Sequence, residues 1–177
     1  MEFAQKKIKV APMDMLAHIR KNHAMEHATI HLLTEALPHV SFAGYSFVKG
    51  YWILGKAELQ TVQKAAEMAL ARLKNGEHKL AIHPNCGTNI VMIGLCTAAA
   101  AMLTSFGTED DDSPLSRFTA YTTAGMLGAL AGKPLGPKVQ KNITTDANVK
   151  DLSIVSINCS SFRGTPVFFV ETSLKQA

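Results

Sequence analysis

The chain has 177 residues, of which 47% are hydrophobic and only 7% aromatic, with a formal net charge of +4. Charged residues make up 18%, below the roughly 25% of an average soluble domain. This composition excludes a disordered chain, which needs low hydrophobicity and high charge. A fully paired disulfide scaffold is also excluded, because three cysteines leave one unpaired.

The first third of the chain predicts a helix followed by two strands. The N-terminal ten residues contain no apolar stretch of the kind that a secretory signal requires. Residues 13–37 predict one helix, because they contain no glycine or proline and a proline bounds them at each end. Residues 40–47 and 51–54 are rich in aromatic and β-branched residues, which predicts two strands joined at Lys49 and Gly50.

The remaining polar segments predict one more helix and the rest of a small sheet. Residues 58–75 carry apolar residues at helical spacing and precede a glycine, so they predict an amphipathic helix. Residues 79–83 predict a short strand. Residues 152–159 and 167–171 predict a β-hairpin that turns at Arg163-Gly164. We therefore expect an α+β fold whose sheet combines strands from both ends of the chain.

Two uncharged runs, residues 90–106 and 118–132, flank an acidic turn at Glu109–Asp112. As a helix the first run reaches roughly 26 Å, close to the thickness of a bilayer's hydrocarbon core. The second run has two glycines four residues apart, a spacing that lets helix backbones approach closely in lipid. These features predict a two-helix transmembrane hairpin over residues 89–132. A buried helical hairpin in a soluble domain is the alternative.

The charges around the hairpin predict its orientation. Lys133, Lys138 and Lys141 follow it, and the positive-inside tendency places both termini in the cytoplasm of a bacterium, with the hairpin in the inner membrane. Residues 1–88 then form a cytoplasmic α+β segment with a His-rich helix, and residues 133–177 form a cytoplasmic β-hairpin segment that completes the sheet. The other basic residues are scattered without interleaved aromatic residues, which argues against nucleic-acid binding.

Five of the seven histidines lie within the predicted first helix or just after it. His23, His27 and His31 are spaced four residues apart and therefore share one helix face. With Glu26, the first two form the H-x-x-E-H pattern of inverted zinc peptidases. Two imidazoles one turn apart can bind zinc, and the carboxylate can act as general base on metal-bound water. No third, acidic ligand stands out in this sequence.

A second motif, His83-Pro84-Asn85-Cys86-Gly87-Thr88-Asn89, precedes the first apolar run. Its proline and glycine predict a turn that could aim His83 and Cys86 at one point. With His23 and His27 these side chains would make a His₃Cys metal set, suited to zinc and, among other transition metals, to copper or iron.

Two other interpretations of this motif stay open. Cys86 could be a catalytic nucleophile, with a histidine as base and Glu26 orienting that histidine. Alternatively the motif is only the start of a helix, with Thr88 or Asn89 as N-cap and Cys86 as a small buried hydrophobe.

At these motifs the sequence resembles an uncharacterised bacterial family, a domain of unknown function found in small membrane proteins, mainly of phototrophic lineages. The resemblance implies the two-helix membrane anchor and a shared site, but no reaction, substrate or cofactor. The segments that carry it are residues 23–30, 76–77, 83–89, 134–136 and 144–145.

Two functional hypotheses follow from the sequence. One is a metal-dependent hydrolase, with His23 and His27 as ligands, Glu26 as base, and His83 or Cys86 completing the metal site. The other is a non-catalytic accessory subunit or assembly factor of a bacterial membrane complex. The small residues of the hairpin favour the second hypothesis, because they suit packing against other transmembrane helices or a second copy of the chain.

Overall fold

A computed structural model describes residues 12–106 and 113–175 of the chain. The N-terminal segment and the predicted acidic turn at Glu109–Asp112 lie outside these residues. The chain forms two compact units. The first, the α/β unit, comprises the described residues up to Ala81 and from Thr145 onward; the second, the hairpin unit, runs from Ile82 to Thr144.

The α/β unit begins with helix α1, Pro12–Ala36, which confirms the predicted helix. Proline suits the first turn of a helix because its missing N–H would have no partner there. The middle of α1 is buried almost all round, and its small side chains let the helix lie close to the sheet. Ala24, Met25, Ala28 and Leu33 are fully buried.

Four antiparallel strands form one sheet in the order β1-β2-β4-β3. Strands β1, Ala43–Phe47, and β2, Gly50–Leu54, form the predicted N-terminal hairpin. Strands β3, Leu152–Phe162, and β4, Thr165–Leu174, form the predicted C-terminal one. Because β2 pairs with β4, the sheet joins the two ends of the chain as the sequence predicted.

The turn between β3 and β4 lies at the predicted dipeptide. Arg163 has φ 50° and Gly164 has φ 80°. Two consecutive positive φ values match the turn whose twist suits a tight β-hairpin, and glycine adopts such values without steric cost.

Helix α2, Leu59–Lys74, confirms the predicted amphipathic helix. It contributes buried side chains to the same hydrophobic core as α1 and the sheet. Glu58 is its N-cap and Asn75 its C-cap. Its buried residues pack with α1 and with Tyr51, Ile53, Phe168 and Val170 of the sheet. The α2 residues in this core are Val62, Ala65, Ala69 and Leu73.

The predicted strand over residues 79–83 is wrong, because residues His78–Ala81 form one turn of 3₁₀ helix. The backbone of this segment forms local hydrogen bonds: the His78 N–H donates to the Gly76 carbonyl at 2.8 Å and the Leu80 N–H to the Glu77 carbonyl at 3.1 Å. These local bonds use the groups that a strand would offer to a neighbour. Ala81, at the end of the turn, is buried in the core.

The hairpin unit consists of α3, Gly87–Ser105, and α4, Pro114–Val139, followed by a π-helical segment, Gln140–Thr144. Helix α4 continues through Pro134 and Pro137. Among the described residues, α3 is the helix long and apolar enough to cross a membrane, by length and composition.

The two helices of the hairpin unit pack antiparallel along a line of buried glycines on α4. A Cβ at Gly128 would lie 2.8 Å from the Ala100 Cβ, and one at Gly132 would lie 2.7 Å from the Ile93 Cα. Only glycine therefore permits this approach. Many of the large apolar side chains point away from the helix pair and are more than half exposed: Ile90, Val91, Leu95, Met102, Leu103, Phe106, Phe118, Met126, Leu127 and Leu130.

Candidate metal site

His23 and His27 lie one turn apart on α1, as the spacing predicted. Their ring centroids are 4.3 Å apart, with the planes inclined at 60°. His27 is buried and His23 is half-buried. Two imidazoles at this separation can both direct a nitrogen at one metal ion.

The backbone carbonyl of Ala81 fixes the protonation of the His27 ring. His27 Nδ1 lies 2.7 Å from the Ala81 oxygen. A carbonyl oxygen only accepts hydrogen bonds, so Nδ1 must carry the proton, and Nε2 is the unprotonated nitrogen of the neutral ring. Metal-bound histidines commonly donate their second ring nitrogen to a carbonyl in this way. The 3₁₀ turn that replaces the predicted strand therefore orients a candidate ligand.

Glu26, the predicted general base, is buried against strand β1. Its Oε2 accepts a hydrogen bond from the Ser46 hydroxyl. Gly44 makes room for it, because a Cβ at that position would overlap the Glu26 carboxylate. The carboxylate thus links α1 to β1. Sequence reasoning missed Gly44 and Ser46, since only the packing of α1 on the sheet brings them to Glu26.

Cys86 is the N-cap of α3, and its buried thiol lies at the start of the helix. The Thr88 N–H lies 3.5 Å from Sγ and donates to it. The structural interpretation of the motif was therefore right about a helix start and wrong about the cap, since Thr88 and Asn89 lie within the first turn.

His83 lies three residues before Cys86 and is half-buried. Its Nδ1 accepts a hydrogen bond from the Asn85 N–H at 3.2 Å. Its backbone N–H donates to Oε1 of Gln140 at 2.9 Å. Gln140 is fully buried, and sequence analysis missed it: nothing near residue 140 marks it as a partner of a motif more than fifty residues earlier.

Of the predicted site residues, His23 and His27 in the α/β unit and Cys86 in the hairpin unit carry side chains that could bind a metal ion. Each offers one ligand atom, an imidazole nitrogen or the thiol sulfur. Two imidazoles and a thiolate suit zinc and copper among biological metals. Glu26, His31 and His83 are not among these three residues.

The fold and these side chains define an α+β protein with an inserted helical hairpin, with histidine donors in the α/β unit and a cysteine donor in the hairpin unit. The chain belongs to a family described as a domain of unknown function, DUF6391, whose pattern matches residues 18–157. This confirms the resemblance to an uncharacterised bacterial family. An uncharacterised protein of the cyanobacterium Picosynechococcus is 33% identical over 139 residues, which cover 73% of this chain and 67% of that protein. No solved structure matches the chain significantly.

Proposed function

We propose that this protein is a membrane-anchored metal-binding protein, with His23, His27 and Cys86 as ligands. The observation that carries the proposal is the hydrogen bond from His27 Nδ1 to the Ala81 carbonyl at 2.7 Å. It selects the tautomer whose Nε2 can bind a metal and holds the ring in one orientation. The ring centroid of His23 lies 4.3 Å from that of His27, so a second imidazole is available beside it.

Cys86 supports the proposal through its position in the chain and on its helix. It lies five positions after Ala81 in the sequence, and a fully extended chain over that interval spans at most about 18 Å. The connection therefore limits how far the thiol can lie from the residue that binds His27. The N-terminus of a helix favours negative charge, and the thiolate is the form of cysteine that ligates metals.

Zinc is the metal that we propose first. Its catalytic sites have three protein ligands and one open position for water or substrate, which matches a His₂Cys set. The hydrolase hypothesis adds Glu26 as general base. Its Oε2 already accepts a hydrogen bond from Ser46, which favours a role in joining α1 to the sheet. We therefore propose metal binding and assign no reaction to it.

We further propose that the hairpin unit anchors the protein in the bacterial inner membrane, with both termini cytoplasmic. The outward apolar side chains of α3 and α4 support this, because a pair of helices in water would expose them at high cost. Leu95 and Met126, for example, are 59% and 64% exposed.

The same outward faces favour a second candidate function, an accessory subunit of a membrane complex. Apolar helix faces can pack against the transmembrane helices of another protein or of a second copy. One structure can serve both as a metal-binding protein and as an accessory subunit. The two candidates differ in the role that a bound metal would have. Purification from native membranes with a mild detergent separates them: a single species of monomer size contradicts the accessory role.

Metal analysis of the purified full-length protein tests the proposal. The protein is prepared with a tag that lacks histidine, loaded with zinc, desalted and analysed by mass spectrometry. We expect one zinc per chain, lost in His23→Ala and in His27→Ala. His39→Ala is the matched control, because His39 is exposed and lies after the end of α1. Wild-type protein that retains no zinc after this procedure, and no cobalt when it is loaded with cobalt instead, would overturn the proposal.

A further inference from the structure

Gln140 makes three hydrogen bonds within the hairpin unit although its side chain is fully buried. Its Oε1 accepts from the His83 N–H at 2.9 Å. Its Nε2 donates to the His83 carbonyl at 3.1 Å and to Oδ1 of Asn89 at 2.6 Å. One amide side chain thus engages both backbone groups of His83, and it comes from the π-helical segment that ends the unit.

Asn89 completes the same network from the first turn of α3. Its Nδ2 donates to the His83 carbonyl at 3.2 Å and to the Pro84 carbonyl at 2.6 Å. The Cys86 N–H also donates to the His83 carbonyl, at 3.3 Å. Three donors therefore converge on one carbonyl oxygen, and together they close the turn that carries Cys86.

Gly136 allows α4 to approach this turn. A Cβ at that position would lie 2.9 Å from the Asn89 Cα and would overlap the Asn89 amide. The position must therefore be glycine if Gln140, one helical turn further on, is to lie against His83. Gln140 is fully buried, so the loss of one of its partners would leave an unsatisfied polar group behind.

We propose that Gln140 and Asn89 are positioning residues that hold the Cys86 thiol in the orientation required for metal binding. This inference rests on the proposed function, with Cys86 as a ligand. Neither side chain needs to touch the metal. They fix the backbone from His83 to Asn89, so the thiol is ordered before the metal binds and less conformational entropy is lost on binding. Substitution of such supporting groups typically weakens metal affinity about 10- to 100-fold.

The first experiment needs no metal. In a Cys96→Ala, Cys159→Ser background, Cys86 is the one remaining thiol, and its alkylation by N-ethylmaleimide is followed over time. We expect Gln140→Glu and Asn89→Asp to accelerate alkylation several-fold, because each replaces amide donors by acceptors in the turn. Asn89→Asp is isosteric and keeps a favourable residue in the first turn of a helix. Gln60→Glu, on the exposed face of α2, is the matched control.

The second experiment uses cobalt(II), whose thiolate charge-transfer absorption reports ligation by Cys86. We expect both variants to bind cobalt about 10- to 100-fold more weakly and to lose this absorption, while the visible bands from imidazole ligation persist at saturation. Unchanged alkylation and unchanged cobalt spectra in both variants would overturn the positioning role. Wild-type protein without cobalt binding would overturn the proposed function instead, and alkylation would still decide whether the network orders the turn.

Discussion

Thr172, Asn22 and His18 form a chain of hydrogen bonds between α1 and β4. Thr172 Oγ1 donates to Oδ1 of Asn22 at 2.6 Å, so it accepts at 3.2 Å from Nε2 of His18. Asn22 also donates to the Phe47 carbonyl at 2.8 Å. Both Asn22 and Thr172 are buried, and their polar groups depend on each other for satisfaction.

Removing the hydroxyl of Thr172 tests this network. We expect Thr172→Val to lower the free energy of unfolding by about 1–3 kcal/mol, because it leaves Asn22 without its donor in a buried site. Ser173→Ala is the matched control on the exposed face of β4 and should change stability by less than about 0.5 kcal/mol. Chemical denaturation monitored by circular dichroism gives both values; equal effects would contradict the assignment.

His18 makes the stability of the α/β unit depend on pH. Burial, and then the charge of Lys21, lower the pKa of His18 below 6.5, while Asp151 partly opposes them. As the pH falls through about 6.5, the unfolded chain therefore takes up a proton before the folded protein does, and stability decreases. We expect His18→Gln to flatten the fall in melting temperature between about pH 7.5 and about pH 5.5. An unchanged slope in this variant would contradict the prediction.

At the residue scale, the sequence predicted the candidate ligands but not the groups that support them. Helical spacing places His23 and His27 on one face whatever surrounds the helix. The carbonyl of Ala81 and the amide of Gln140 become visible only in the tertiary structure, because they lie more than fifty residues from the groups they bind. The N-cap was misplaced because Thr88 and Asn89 have stronger capping preferences than Cys86.

At the element scale, strong periodic patterns predicted α1, α2 and both β-hairpins. The strand predicted over residues 79–83 was wrong because the apolar residues there suit a short strand and a buried turn equally well. Tertiary contacts decide between the two. Helix α4 extends past the predicted hairpin because proline breaks one helical hydrogen bond without always ending the helix.

Substituting the glycines of the hairpin tests its packing. We expect Gly132→Ala to destabilise the purified protein by about 1–3 kcal/mol, because the added Cβ would lie 2.7 Å from the Ile93 Cα. Gly94→Ala is the matched control, since no atom lies within 4 Å of a Cβ there. Alanine has the higher helix propensity, so this control should be neutral or stabilising. Thermal unfolding in detergent distinguishes them, and a neutral Gly132→Ala would contradict the close packing.

At the scale of the whole molecule, the chain inserts the hairpin unit between the two β-hairpins of a single sheet. The β2–β4 pairing, with Tyr51 opposite Val170, therefore joins residues on either side of the insertion. The sequence predicted this arrangement because the polar, alternating segments flank the uncharged ones. The apolar excess in the composition has two sources: a compact core with α1 and α2, and side chains that point outward from α3 and α4.

The outward side chains give opposite predictions for a membrane hairpin and a soluble one. Leu95 lies near the middle of α3 and is 59% exposed. In lipid, lysine at a helix centre costs about 2.5–3.5 kcal/mol, so we expect Leu95→Lys to reduce the fraction of protein that remains in membranes after alkaline extraction. Met68→Lys, at a 44% exposed position on α2, is the matched control and should leave that fraction unchanged. Wild-type protein found in the soluble fraction, with Leu95→Lys more soluble still, would contradict membrane insertion and leave a surface that binds another protein.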